Sequence, residues 1–106
     1  MGKEYEYIKW YWNHPDDGYA IIIFYELDLE NERYATRMAE VFSDRSIVPI
    51  IEEGFDFITE GPIPNLDEIN AEPEYYAEII SKDEFETVYN TNRYDGDMSF
   101  PKKTII

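Results

Sequence analysis

An α+β domain is predicted for this chain: an antiparallel sheet of four to five strands, laid out as a meander, with two short helices packed against it. Three observations point there. Apolar and aromatic runs recur along residues 4–51 with turn-forming clusters between them. Two capping signals, Asn65 with Glu68 and Ser81 with Glu84, follow further along. The length of 106 residues, 43% of them apolar and 17% aromatic, supports one core and leaves little room for a second domain.

The first strand is expected at residues 4–13, with Tyr5, Tyr7, Lys9 and Tyr11 on one face and Glu6, Ile8, Trp10 and Trp12 on the other. Pro15, Asp16, Asp17 and Gly18 form a turn. Residues 19–28 are apolar on both faces, which places this second strand centrally in the sheet. Residues 29–32 make the next turn. Residues 33–42 fit a helical stripe (Tyr34, Met38, Val41) and also a strand face (Tyr34, Thr36, Met38, Glu40, Phe42). The turns on either side select strand. Residues 47–51 give a fourth strand, and Pro49 puts it at an edge because proline cannot donate to a ladder.

Residues 52–64 read as a loop with Gly54, Gly61, Pro62 and Pro64, pinned by Phe55, Phe57 and Ile58. Asn65 then caps a short helix whose Leu66 and Ile69 face inward, and Pro73 stops it. Residues 75–80 suit a further short strand. Ser81 and Glu84 form the second capping box, stapled by Ile80 and Phe85, and that helix buries Phe85, Val88 and Tyr89. Residues 1–92 are expected as a single domain, with 93–106 a mobile or loosely docked tail.

Charge is the strongest compositional signal. Nine Lys and Arg against 24 Asp and Glu give a net charge of −15. A protein of this size exposes about 6,000 Å², and fifteen charges match about 25 Å of duplex DNA. Direct binding to nucleic acid or to an anionic membrane is disfavoured, and binding to a basic protein is favoured. No Lys or Arg occurs between Arg45 and Lys82, an interval holding Glu52, Glu53, Asp56, Glu60, Asp67, Glu68, Glu72, Glu74 and Glu78. Either this is a solvated face that maintains solubility, or it is a binding face. Capping accounts for Glu68, Asp83 and Glu84 but not for Glu52, Glu53, Asp56, Glu60, Glu72, Glu74 or Glu78. Tyr75 and Tyr76, flanked by Glu74 and Glu78, have the character of protein-binding anchors.

Much chemistry is excluded. With no cysteine there is no disulfide and no thiolate. His14 is the one histidine and sits at a turn beside Pro15, where a solvent-exposed role fits better than catalysis. Asp28 begins an alternating acidic run, but the sixth position of a calcium loop is Arg33 rather than Gly and the twelfth is Ala39. The five glycines form no phosphate loop. The aromatics from Tyr5 to Trp12 fit core or interface packing better than base stacking at this net charge. No apolar run reaches the length of a membrane helix, and no signal-like apolar stretch follows Lys3, Glu4 and Glu6. A cytoplasmic protein without catalytic residues, metal or cofactor is expected.

Several strings carry a resemblance: Tyr7-Ile8-Lys9-Trp10; Arg33-Tyr34 with Arg37, Glu40, Phe42, Asp44, Ser46 and Ile47; Pro62-Ile63-Pro64-Asn65-Leu66-Asp67-Glu68-Ile69-Asn70-Ala71-Glu72-Pro73-Glu74; and Glu78-Ile79-Ile80-Ser81-Lys82-Asp83-Glu84-Phe85. Over about residues 5–91 the chain resembles a small, acidic, mainly bacterial domain family known only as a domain of unknown function. It departs from the family at Asp44-Arg45, where Asp-Gly is expected in the turn. Stand-alone members look like immunity or interaction proteins found near bacterial toxin systems. The resemblance implies a binding protein and supplies no catalytic residue.

The expected function is therefore a non-enzymatic acidic inhibitor that blocks a basic toxin or nucleic-acid-binding effector by charge mimicry, as an immunity protein or a phage anti-defence (anti-CRISPR-type) protein. The expected binding residues are Glu52, Glu53, Asp56, Glu60, Glu68, Glu72, Glu74, Tyr75, Tyr76 and Glu78. The protein would act as a monomer or small homo-oligomer. The alternative is an accessory domain whose acidity serves solubility alone.

Overall fold

A computed structural model of the chain describes residues 4–13, 19–50 and 63–101. His14, the turn at 15–18, the loop residues 51–62 with Glu52, Glu53, Asp56 and Glu60, and the last five residues lie outside the described part.

Five strands form one sheet: β1 (Tyr5–Trp12), β2 (Ile22–Asp28), β3 (Tyr34–Val41), β4 (Ile47–Ile50) and β5 (Tyr75–Ile80). Their spatial order is β4-β3-β2-β1-β5, and every neighbouring pair is antiparallel. The first four strands are the expected meander. The fifth lies outside β1, at the edge opposite β4. Every residue of β2 is buried, as its two apolar faces require of a central strand. β4 is an edge strand, where the missing N–H of Pro49 does no harm.

Alternation along β1 and β2 sorts the core into two layers. On one face Tyr7, Tyr11, Ile22, Phe24 and Val41 pack under α2 (Lys82–Tyr89) through Phe85 and Val88. On the other, Ile8, Trp10, Ile23, Tyr25 and Leu27 pack against Ile63 and α1 (Leu66–Asn70) through Ile69. The two helices thus cover opposite faces of the sheet. Phe24 and Phe85 are fully buried, each contributing about 2 to 3 kcal/mol of transfer free energy.

Both helices begin where the capping signals place them. The Asn65 side chain accepts from the Glu68 N–H at 3.0 Å, and its amide donates to the Glu68 carboxylate at 3.1 Å. Ser81 Oγ accepts from the Glu84 N–H at 3.0 Å. Asn70, closing α1, bonds the outer edge of β5: it accepts from the Ala77 N–H at 2.7 Å and donates to the Ala77 carbonyl at 3.0 Å.

A bulge at Thr36 sets up a polar centre in the α2 layer. The pairing runs Arg37 with Glu26, then Ala35 with Leu27, so Thr36 is the extra residue. Glu26 is 7% exposed, and four donors reach its carboxylate. Oε1 accepts from Thr36 Oγ1 at 2.7 Å and Arg37 Nε at 3.0 Å; Oε2 accepts from Tyr7 Oη at 2.8 Å and Arg37 Nη2 at 2.7 Å. Arg37 also pairs with Glu86 on α2 and lies over the rings of Phe85 and Tyr89, with its guanidinium carbon 5.0 and 4.9 Å from their centroids.

Two turn arginines tie distant segments to the sheet. Both have left-handed backbones, φ 67° at Arg33 and 74° at Arg45. Arg33 donates to the carbonyls of Ile63 at 3.0 Å and Pro64 at 3.2 Å and to Glu6 at 2.6 Å, while its own carbonyl accepts from the Ile63 N–H. Arg45 donates to the carbonyls of Tyr94 at 2.8 Å and Gly96 at 2.9 Å. Beyond Asn92, Arg93 bridges Ser46, Tyr94 is buried in the α2 layer, and Met98 and Phe100 pack against that layer. The expected domain boundary at 92 therefore falls within a packed segment. A stretch without hydrophobic period gave no sign of this, because its anchors are single aromatics and backbone carbonyls.

Candidate functional site

Four of the six described cations, Lys9, Arg33, Arg37 and Arg45, are used inside the fold. Lys9 is 6% exposed, with Nζ 4.7 Å from the Tyr11 ring centroid, 5.2 Å from that of Tyr94 and 5.8 Å from that of Phe24. Burial pulls its pKa down, and hydrogen bonding to the phenols of Tyr11 and Tyr94 more than restores it. Arg33, Arg37 and Arg45 are committed to the contacts above. Among the described residues, the ion pairs join Glu6 to Arg33, Arg37 to Glu26 and Glu86, and Arg93 to Asp95. Asp67, Glu68, Glu74 and Glu78 take part in none of them.

The α1–β5 region carries those of the expected binding acids that are described. Asp67, Glu68, Glu72 and Glu74 are exposed on α1 and the turn after it, and Glu78 is half-buried on β5, opposite Lys9 in the β1 register. Tyr75 and Tyr76 point to different faces and do not act as one anchor. Tyr76 packs toward α2, 6.0 Å from the Tyr11 ring. Tyr75 lies on the α1 face, 4.8 Å from Trp12 and 5.3 Å from Trp10 in edge-on geometry, and those two indoles stack at 5.1 Å. The alternation of a strand demands this split.

Beside that aromatic cluster opens a cleft of about 420 Å³, lined by Trp12, Asn13, Tyr19, Ala20, Ile23, Glu40, Glu74 and Tyr75. It brings the expected residues Glu74 and Tyr75 together with three groups not expected there: Trp12, Tyr19 and Glu40. Glu40 projects from β3 onto the otherwise apolar α1 face beside Ile23, its partner in register. A lone acid on an apolar strand face was the available sequence signal. Burial raises the pKa of the Tyr75 phenol, and the carboxylates of Glu74 and Glu72 raise it further. The indole N–H groups of Trp10 and Trp12 are buried and without a hydrogen-bond partner among the described residues.

Among the described residues no group of three His, Asp or Glu is placed to hold a metal ion. Among the same residues no helix is long and apolar enough to cross a membrane. Comparison with curated proteins and with solved structures finds no match to this chain. A family match does exist, and its span runs from the start of β1 to the buried Tyr94. The sequence model of the domain of unknown function DUF6881 matches residues 6–94, and the chain belongs to that family.

Proposed function

We propose that the protein is a non-enzymatic acidic inhibitor that binds a basic partner, a toxin or a nucleic-acid-binding effector, and occupies with carboxylates the positions its phosphate contacts would take. The observation that supports this reading is the inward commitment of cations. Lys9, Arg33, Arg37 and Arg45 are held in the fold, while Asp67, Glu68 and Glu74 are exposed and take part in no ion pair among the described residues. The outer field is therefore more one-sided than net −15 suggests. An immunity protein against a toxin and a phage-type anti-defence protein both use this physics. The protein acts in the cytoplasm, without cofactor, as a monomer or small homo-oligomer.

The test is affinity capture with the immobilised protein, alongside a variant carrying Glu68→Lys, Glu72→Lys and Glu74→Lys. Basic proteins should be retained at about 50 mM salt, released by about 500 mM, and lost from the variant. Retention that is flat in salt, or equal in the variant, removes charge mimicry and leaves the acidity a solubility device.

A further inference from the structure

We infer that the cleft beside Tyr75 receives an arginine side chain of the basic partner; this rests on the reading above and specifies its anchor. The cleft volume of about 420 Å³ lies in the range of small-ligand pockets, about 300 to 1,000 Å³, and fits one long side chain with its neighbouring backbone. Its lining pairs flat aromatic walls with two carboxylates, Glu40 from β3 and Glu74 before β5, and the described lining contains no Lys or Arg. A cation is the complementary ligand on both counts, since ring faces and carboxylates each attract it.

Arginine fits better than lysine. Its guanidinium is planar, stacks on aromatic rings, and can fork across a carboxylate while staying charged, whereas an ammonium is compact and strongly hydrated. The walls are set in advance. Trp12 packs in a three-ring cluster with Trp10 and Tyr75, at 5.1 and 4.8 Å between centroids, and those two are themselves 5.3 Å apart, which lowers the ordering cost of binding. No described cation pairs with Glu40, although it stands on an apolar face where a hydrophobic residue would pack better.

The experiment titrates the intact protein with N-acetyl-arginine amide and follows tryptophan emission, since Trp12 lines the cleft. N-acetyl-lysine amide and N-acetyl-citrulline amide serve as comparisons, and Glu40→Gln and Glu74→Gln as near-isosteric variants. A saturable response is expected in the range of about 1 mM, weaker for lysine, absent for uncharged citrulline, and about tenfold weaker in each variant. No saturation, equal binding of citrulline or lysine, or unchanged binding in both variants overturns the inference. Binding of deca-arginine across a salt series, read by calorimetry, separates the two readings. Steep salt dependence without an arginine-amide response sinks the cleft and keeps the acidic surface. A response to arginine amide with no gain in affinity for deca-arginine sinks the acidic-surface reading.

Discussion

Arg45 and Tyr94 hold each other in both directions: the Tyr94 N–H donates to the Arg45 carbonyl at 2.8 Å, and the Arg45 guanidinium donates back to the Tyr94 carbonyl at 2.8 Å. Arg45 stands where the turn favours glycine, at φ 74°, a conformation costing an L-residue about 1 to 2 kcal/mol. Arginine in place of glycine at this turn position thus exchanges an easy turn for a clamp.

Arg45→Ala keeps the unfavourable backbone and the main-chain bond to Tyr94 but loses the guanidinium bonds to the Tyr94 and Gly96 carbonyls, so it should destabilise by about 2 kcal/mol. Arg45→Gly loses the same bonds but recovers about 1 kcal/mol of backbone strain. Urea midpoints should therefore rank wild type above Gly above Ala. In both variants hydrogen exchange should accelerate first at residues 93–100. Gly96→Ala should loosen the same segment from within, because a Cβ there falls 2.3 Å from the Tyr94 hydroxyl oxygen.

On the acid side, Glu26 sets the limit. Burial would raise its pKa, but hydrogen bonds from Arg37, Thr36 and Tyr7 overcome this and hold it below the ordinary glutamate value of 4.5. A depressed folded-state pKa gives stability that is complete above the unfolded value and drains as pH falls through the folded one. Wild-type stability, followed by urea unfolding, should decline below about pH 4.5. Glu26→Gln should cost about 3 kcal/mol at neutral pH and show a flatter acid limb. An acid limb unchanged by this substitution would mean other carboxylates control acid unfolding.

At high pH the sign reverses. Burial, with the hydrogen bond to Glu26, pushes the Tyr7 phenol up to about 12, and burial raises Tyr25 as well. The unfolded chain ionises first, so stability falls as pH rises from about 10 toward 12. Lys9, whose pKa is also raised, loses its contribution in the same direction. Tyr7→Phe should cost about 1 kcal/mol at neutral pH and flatten the alkaline limb, as read from thermal unfolding at pH 9 to 11.

Salt should act oppositely on folding and on binding. Screening the self-repulsion of a chain of net −15 should raise stability on the order of 1 kcal/mol, or about 5 °C in Tm. The same salt should weaken capture of a basic partner. A Tm that falls with salt would show that the Glu26, Arg37 and Glu86 pairs outweigh the global repulsion.

The sequence made the strands and helix starts legible because each depends on near neighbours. Two apolar faces marked 22–28 as central, Pro49 marked an edge, and Asn65 and Ser81 marked both helix starts. What stayed hidden depends on residues that meet only in three dimensions. Glu26 meets Tyr7 and Glu86 across 19 and 60 positions of chain, through Arg37 in the second case. Arg45 finds Tyr94 across 49. The site was half legible: Glu74 and Tyr75 were expected, but Glu40 and Trp12 join them only once β5 pairs with β1 and β3 takes its place beyond β2. Tyr75 and Tyr76 looked like a pair because adjacency in sequence hides the opposite facing of neighbouring strand residues.

The carboxamide of Asn70 stands in for a sixth strand, filling the outward N–H and carbonyl of Ala77. Its two-atom complementarity is also chemically perishable. Hydrolysis of the amide to a carboxylate keeps the acceptor and deletes the donor, setting an anion against the Ala77 carbonyl. Loss of that donor should uncover the outward backbone of Ala77, at the middle of an edge strand where a second chain can pair. Asn70→Asp should reproduce the aged state at once, seen as larger species in size-exclusion chromatography of concentrated samples.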